Sequence, residues 1–190
     1  MSKGRLEAFS DAVIAILMTI MVLELRPPHE GTLHALEPVL PSLLTYVLSF
    51  VFLGIYWTNH HHLLQMTDRV SGGMLWANLH LLFWLSLVPF GTAWLGENPH
   101  AAWPTAAYGA IFLLSAIAYT ILVRVIVRHK ANRRLAEALG RDAKGNLSLV
   151  LYASAIPLAF VQQWLADGLY VLVALIWLVP DRRIESHLQS

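Results

Sequence analysis

Long apolar runs separated by short polar knots dominate the chain. With histidine counted as neutral, no charge interrupts Pro38 to Thr67, Val70 to Gly96, Asn98 to Val123 or Gly145 to Ala166. Each run reaches the roughly 20 residues that cross a bilayer as an α-helix. Two further apolar runs, Ala12 to Leu23 and Gly168 to Pro180, are shorter between charges. Both lengthen into spans if their charged ends sit at the interface or inside a bundle. The pattern predicts an all-α integral membrane protein with six transmembrane helices in a single domain over 1–190. The helices are expected near 4–26, 38–64, 72–95, 103–129, 146–166 and 168–184, with a polar linker over 130–145.

Composition agrees with this reading: 57% of the residues are hydrophobic and 13% charged, far more apolar than a soluble domain of this size. The distribution of charge matters more than its sum of +1. With the N-terminus inside and six spans, the inner segments hold 12 of the 13 basic residues, and only Arg26 falls outside. By the positive-inside rule, both termini are expected in the cytoplasm. Pro and Gly mark the outer loops, including a very tight turn at Ala166–Asp167–Gly168. The basic stretch His129 to Asn146 reads as a solvated cytoplasmic linker that fixes topology, with no nucleic acid partner. Glu7 and Asp11 interrupt what a cleavable signal would need, so the opening helix is expected to be retained. No cysteine is present, which excludes disulfides and thiolate metal sites.

The opening helix carries the most informative contrast. It begins Arg5-Leu6-Glu7-Ala8-Phe9-Ser10-Asp11 and then turns apolar as far as Leu23, with Glu24 at its outer end. At 100° per residue, Arg5, Ala12, Ile16, Thr19 and Leu23 share one face, with Phe9 and Ile20 on its shoulder, while Glu7, Asp11 and Met18 lie opposite. Asp11 sits about 9 Å along the axis from Arg5. At that depth a carboxylate exposed to lipid costs several kcal/mol, so Asp11 must face protein or water. Ser10 and Asp11 are therefore expected to point into the bundle as a polar anchor. By period alone the branched stripe Ile16, Thr19, Ile20, Leu23 fits a helix-packing face or a lipid contact better than a pore wall, since such stripes are common in membrane bundles. Glu24 fits either a cation-attracting pore mouth or a solvated helix end.

The block Arg5-x-x-x-Phe9-Ser10-Asp11, followed by Ala12, Ile16 and Thr19, resembles the signature of the transmembrane protein 175 family. That family comprises the lysosomal potassium channel of animals and shorter bacterial and archaeal homologues. Trp57-x-x-His60, Asn78 and Pro89-Phe90, the last at the outer end of the third helix, extend the resemblance through the first half of the chain. The resemblance implies a homotetramer in the bilayer, around a pore lined by the first helix, in a prokaryotic plasma membrane. It implies Ile16 as the main hydrophobic constriction, Ile20 and Leu23 as further apolar rings, and Thr19 as a hydroxyl layer linked to selectivity. Arg5, Phe9, Ser10, Asp11, Trp57, His60 and Asn78 would form a structural polar network. The implied function is passive permeation of potassium with modest preference over sodium, without a cofactor.

Three consecutive histidines, His60 to His62, sit about 100° apart on a helix, so they cannot share one metal. His60 with His80 could in principle hold a haem, but Trp57, Trp76, Phe83 and Trp84 crowd the neighbourhood. A proton-coupled secondary transporter using Asp11 and His60 is the alternative, although no inverted repeat is apparent. No cluster of nucleophile, base and metal ligand points to an enzyme.

Overall fold

The structure is a computed structural model, which describes residues 2–67, 69–128 and 143–178. The described residues form an all-helical bundle. Helix α1 spans Lys3–Leu23, α2 Leu40–Gln65, α3 Gly72–Ser86, α4 Val88–Glu97, α5 Ala102–Arg128, α6 Ala143–Val161 and α7 Gln163–Leu178. A 3₁₀ segment, Leu33–Val39, leads into α2. Five segments are long and apolar enough to cross a membrane, and Gln163–Leu178 is a shorter apolar helix. The expected linker residues 130–142 and the expected end of the sixth helix, 179–184, lie outside the described residues.

Helices α3 and α4 together make one span, interrupted near Pro89. The sequence reading expected one unbroken helix over 72–95 with Pro89-Phe90 toward its outer end; the span reaches Glu97 but is broken just ahead of Pro89. Proline has no N–H and crowds the preceding turn, so the helix breaks at Leu87 and restarts with Pro89 in its first turn. Leu87 keeps helical dihedrals, φ −87° and ψ −8°, so the joint is a one-residue interruption and not an unwound stretch. The other joint also differs from expectation. The turn falls at Gln162, and Ala166–Asp167–Gly168 lies inside α7. Its start is tied down where Gln163 Nε2 donates to the Pro99 carbonyl.

Successive spans run antiparallel, as a few contacts between helix ends establish. Lys3 Nζ at the head of α1 donates to the Gln65 carbonyl at the end of α2, 2.7 Å away. Trp177 Nε1 near the end of α7 donates to Ser148 Oγ near the start of α6, 2.8 Å away. Lys3, Arg5, Arg69, Arg124, Arg128 and Lys144 therefore gather at one end of the bundle, and Arg26 faces Glu97 at the other, 3.9 Å away.

Helix α5 is the hub, packing against α3, α4, α6 and α7. Its buried positions, including Thr105, Tyr108, Phe112, Ser115, Ala118, Leu122 and Ile126, recur at helical spacing. Helix α1 leans on α2, α3 and α4. Without water to drive apolar association, helices in lipid rely on close approach at small residues. Gly96 supplies one such approach, since a Cβ there would sit 2.8 Å from the Ser42 Cα of α2. Gly96→Ala should therefore destabilise the protein by about 1–3 kcal/mol. Gly168→Ala, where a Cβ would meet nothing within 4 Å, should leave stability unchanged or slightly raised; thermal unfolding in detergent checks both.

Candidate functional site

Helix α1 divides sharply into two faces. Leu6, Ser10, Ile14, Leu17 and Met21 are buried against the rest of the subunit. Phe9, Ala12, Ile16, Thr19, Ile20 and Leu23 are exposed on the other side, with Ile16 at 54% and Leu23 at 78%. The stripe singled out from periodicity is thus the face that the subunit core leaves uncovered. Thr19 keeps its hydroxyl proton on its own helix, donating to the carbonyls of Ile16 at 2.9 Å and Ala15 at 3.1 Å. What it presents outward is oxygen. Glu24, also exposed, follows as the cap residue of α1.

The buried face carries a chain of three polar side chains with one consistent direction. Ser10 Oγ donates to the Leu6 carbonyl at 2.9 Å, and Asn78 Nδ2 donates to Ser10 Oγ at 2.9 Å. Asn78 Oδ1 then accepts from His60 Nε2 at 2.7 Å. An amide whose nitrogen is used as a donor has only its oxygen left to accept, so His60 must carry its proton on Nε2. Its Nδ1 is buried with no hydrogen-bond partner among the described residues. All three side chains are fully buried. The chain locks α1 to α3, and α3 to α2, at one depth.

Asp11 lies apart from this chain. Its carboxylate accepts from Trp57 Nε1 of α2 at 3.1 Å, at the half-covered flank of α1. Trp57 in turn stacks on His61 with ring centroids 5.9 Å apart, and His61 pairs with Gln65 at 2.9 Å. The residues expected to form one network therefore form two separate contacts within a subunit. Ser10 points into the core, whereas Asp11 flanks it. Arg5 is exposed with the Ile16 stripe, and no hydrogen bond or ion pair of its side chain is present among the described residues. Its angular position explains this, since Arg5 and Ser10 sit on opposite sides of α1. Phe9 is exposed as well. Asp11 and His60 do not hydrogen-bond to each other; each has its own partner.

A second polar cluster escaped the sequence reading. Thr92 Oγ1 donates to Ser49 Oγ at 2.7 Å, Ser49 Oγ lies 2.9 Å from Tyr108 Oη, and Tyr170 Oη donates to the Thr105 carbonyl at 2.9 Å. These hydroxyls tie α4, α2, α5 and α7 together in the half of the bundle away from the basic end. Their partners stand 43 to 65 residues apart in sequence, and Ser or Thr in an apolar helix usually bonds its own backbone. His80 is exposed on α3 and accepts from Trp84, so it does not face the buried His60. No group of three or more histidine or acidic side chains able to hold a metal is present among the described residues.

These features define a helical integral membrane protein whose first helix is anchored on one face by polar side chains and presents a bare branched stripe on the other. A family profile described as endosomal/lysosomal potassium channel TMEM175 matches residues 5–89, the segment that holds α1, the Trp57–His60 pair and Asn78. A potassium channel of Chryseobacterium sp. (strain P1-3) is 52% identical over the whole of both chains. A potassium channel of Chamaesiphon minutus (strain ATCC 27169 / PCC 6605) is 32% identical over 90% of this chain and 91% of its own. The crystal structure of a lysosomal potassium-selective channel TMEM175 homologue from Chamaesiphon minutus superposes with a TM-score of 0.78 at 30% identity, covering 93% of this chain and 96% of that one. The chain belongs to the TMEM175 family.

Removing one member of the buried chain strands its neighbours. Asn78→Leu leaves a buried imidazole N–H without its acceptor and should cost about 1–3 kcal/mol, as should Ser10→Ala by stranding the Asn78 amide. In a double-mutant cycle read by thermal unfolding, the two losses should be clearly less than additive.

Proposed function

We propose that the chain is a potassium-permeable channel, in which four copies surround a pore lined by the exposed face of α1. The observation that carries the proposal is the bare stripe Ile16, Thr19, Ile20, Leu23 lying opposite the buried face of the same helix. The relatives named as potassium channels support the choice of ion. In this reading Ile16 forms the narrowest apolar ring, with Ile20 and Leu23 one and two turns outward, and the neck closes by dewetting. Thr19 supplies a ring of hydroxyl oxygen inside that apolar wall. Potassium is preferred over sodium because the more weakly hydrated ion gives up water at less cost, so the selectivity is modest. The chain has no carbonyl-lined filter sequence of the TVGYG kind.

The one-sided gathering of basic residues supports cytoplasmic termini, and the bacterial relatives support residence in a prokaryotic plasma membrane. In the tetramer, Asp11 with Trp57, and the buried Ser10–Asn78–His60 chain, hold α1 so that its stripe faces the axis. Arg5, on the stripe side, then reaches a neighbouring subunit, and Glu24 rings the outer mouth where acid attracts cations. Passive permeation of this kind involves no enzymatic step and no cofactor.

Potassium flux into liposomes containing the purified chain tests the proposal. The wild type should pass potassium faster than sodium without a proton gradient. Ile16→Asn, which places an amide in the neck, should raise flux severalfold and reduce the preference. Unchanged flux in that variant would remove Ile16 from the pore.

A further inference from the structure

At the end of the bundle opposite the basic one, the α4–α5 turn and the α6–α7 joint border an open hollow of about 430 Å³. Pro99 and His100 line one side, and Phe160, Gln163, Trp164 and Asp167 much of the other. No residue of α1 takes part. Two contacts hold the shape. Gln163 Nε2 donates to the Pro99 carbonyl and so ties the two sides together. Phe160 packs edge-on against Trp103 of α5, with ring centroids 5.0 Å apart.

Aromatic rings near a membrane–water boundary are ordinary anchors, but a carboxylate set among them is not. Asp167 is half-buried in the second turn of α7, and no hydrogen bond or ion pair of its side chain is present among the described residues. His100 acts on its charge from the other side of the hollow without closing an ion pair. A charge stripped of part of its water gains by drawing in a partner. The surroundings favour a cation, since this end of the bundle carries Glu24, Glu30, Glu37, Glu97 and Asp167 against Arg26 alone among Lys and Arg. The volume falls in the range of small-ligand sites. An inorganic ion would leave the exposed Phe160 and Trp164 rings unused, whereas an amine can place N–H donors on oxygen and its methylenes on the rings. Gln163 has spent an N–H on Pro99 and keeps its side-chain oxygen as an acceptor. A primary ammonium, with three donors, can serve both Asp167 and Gln163; a quaternary one brings no donor. We infer that the hollow binds a primary ammonium group, held by Asp167 and Gln163 with its carbon chain against Phe160 and Trp164. Its source is a phospholipid head in the leaflet at that end or a free amine in the adjoining water. The site is separate from the ion path and stands whether or not the chain conducts.

The test uses the full chain in phosphatidylglycerol liposomes with diazirine probes whose adducts are located by mass spectrometry. One arm adds phosphatidylethanolamine with the diazirine at the glycerol end of an acyl chain, beside phosphatidylcholine and phosphatidylglycerol versions of the same probe. The other adds a water-soluble alkylamine carrying a diazirine, beside the matching alcohol. In one arm or the other, the primary amine should label Phe160, Trp164 and their neighbours about three- to tenfold above its amine-free counterpart, and the arm that does so names the source. Asp167→Asn, which keeps the shape, should remove that excess without changing thermal unfolding. Ala102→Phe, which fills the hollow and keeps the carboxylate, should remove it as well. No excess in either arm, or an excess that survives Asp167→Asn, would overturn the site. Labelling by phosphatidylcholine equal to that by phosphatidylethanolamine would overturn the assignment to a primary ammonium.

Discussion

A polar side chain inside a lipid-spanning bundle has to find a partner in protein, because lipid offers none. The hydrogen-bonded chain from His60 through Asn78 to Ser10 and the Leu6 carbonyl meets that demand, and the rest of the arrangement depends on it. The chain has a direction fixed by the amide of Asn78, so each group has one role. Because it crosses three helices at one depth, it sets both the rotation and the height of α1. A helix held only by Leu and Ile could slide or turn at little cost, since lipid tails are as apolar as its partners. Fixing the rotation turns one face of α1 inward and leaves Ile16, Thr19, Ile20 and Leu23 outward.

The opposite half of the molecule is held by a different device. There, hydroxyl groups of Ser49, Thr92 and Tyr108 meet in the core, and Gly96 brings the end of α4 against the backbone of α2. Helix α1 is thus supported along its length by two polar clusters, with Met21 reaching the second one through its sulfur, 3.7 Å from Thr92 Oγ1. Helices α6 and α7 pack against α5 and each other, and α7 also meets α2.

Much of this was legible in the sequence. The spans follow from runs of uncharged residues, and the two faces of α1 follow from 100° periodicity applied to a segment with few polar residues. The resemblance, together with the need of buried polar groups for partners, grouped Ser10, His60 and Asn78 with Arg5, Phe9, Asp11 and Trp57 in one network and did not single out the three that bond to one another. The angular offset between Ser10 and Asp11, a full 100°, was also in the sequence, yet both were expected to point inward. Arg5 illustrates the same limit, because its wheel position already set it apart from Ser10. The hydroxyl cluster around Thr92 was not legible, since nothing local distinguishes a serine that bonds across helices from one that bonds its own turn. The one-residue joint at Leu87 lies just ahead of Pro89, whereas the joint at Gln162 has neither proline nor glycine beside it to mark it. Asp167-Gly168 was read as a turn signal, but the helix passes through it without obstruction.

The central claim is that the exposed stripe of α1 borders the ion path. The chain has no cysteine, so single cysteines can be introduced one at a time from Val13 to Leu23 without background. The decisive measurement is block of potassium flux by a water-soluble cationic thiol reagent across this series. The account predicts block that rises and falls with helical period, strong at Ile16, Thr19, Ile20 and Leu23 and absent at Ile14, Leu17 and Met21. Block with the opposite phase, or no block at any position of α1 while flux persists, would contradict it.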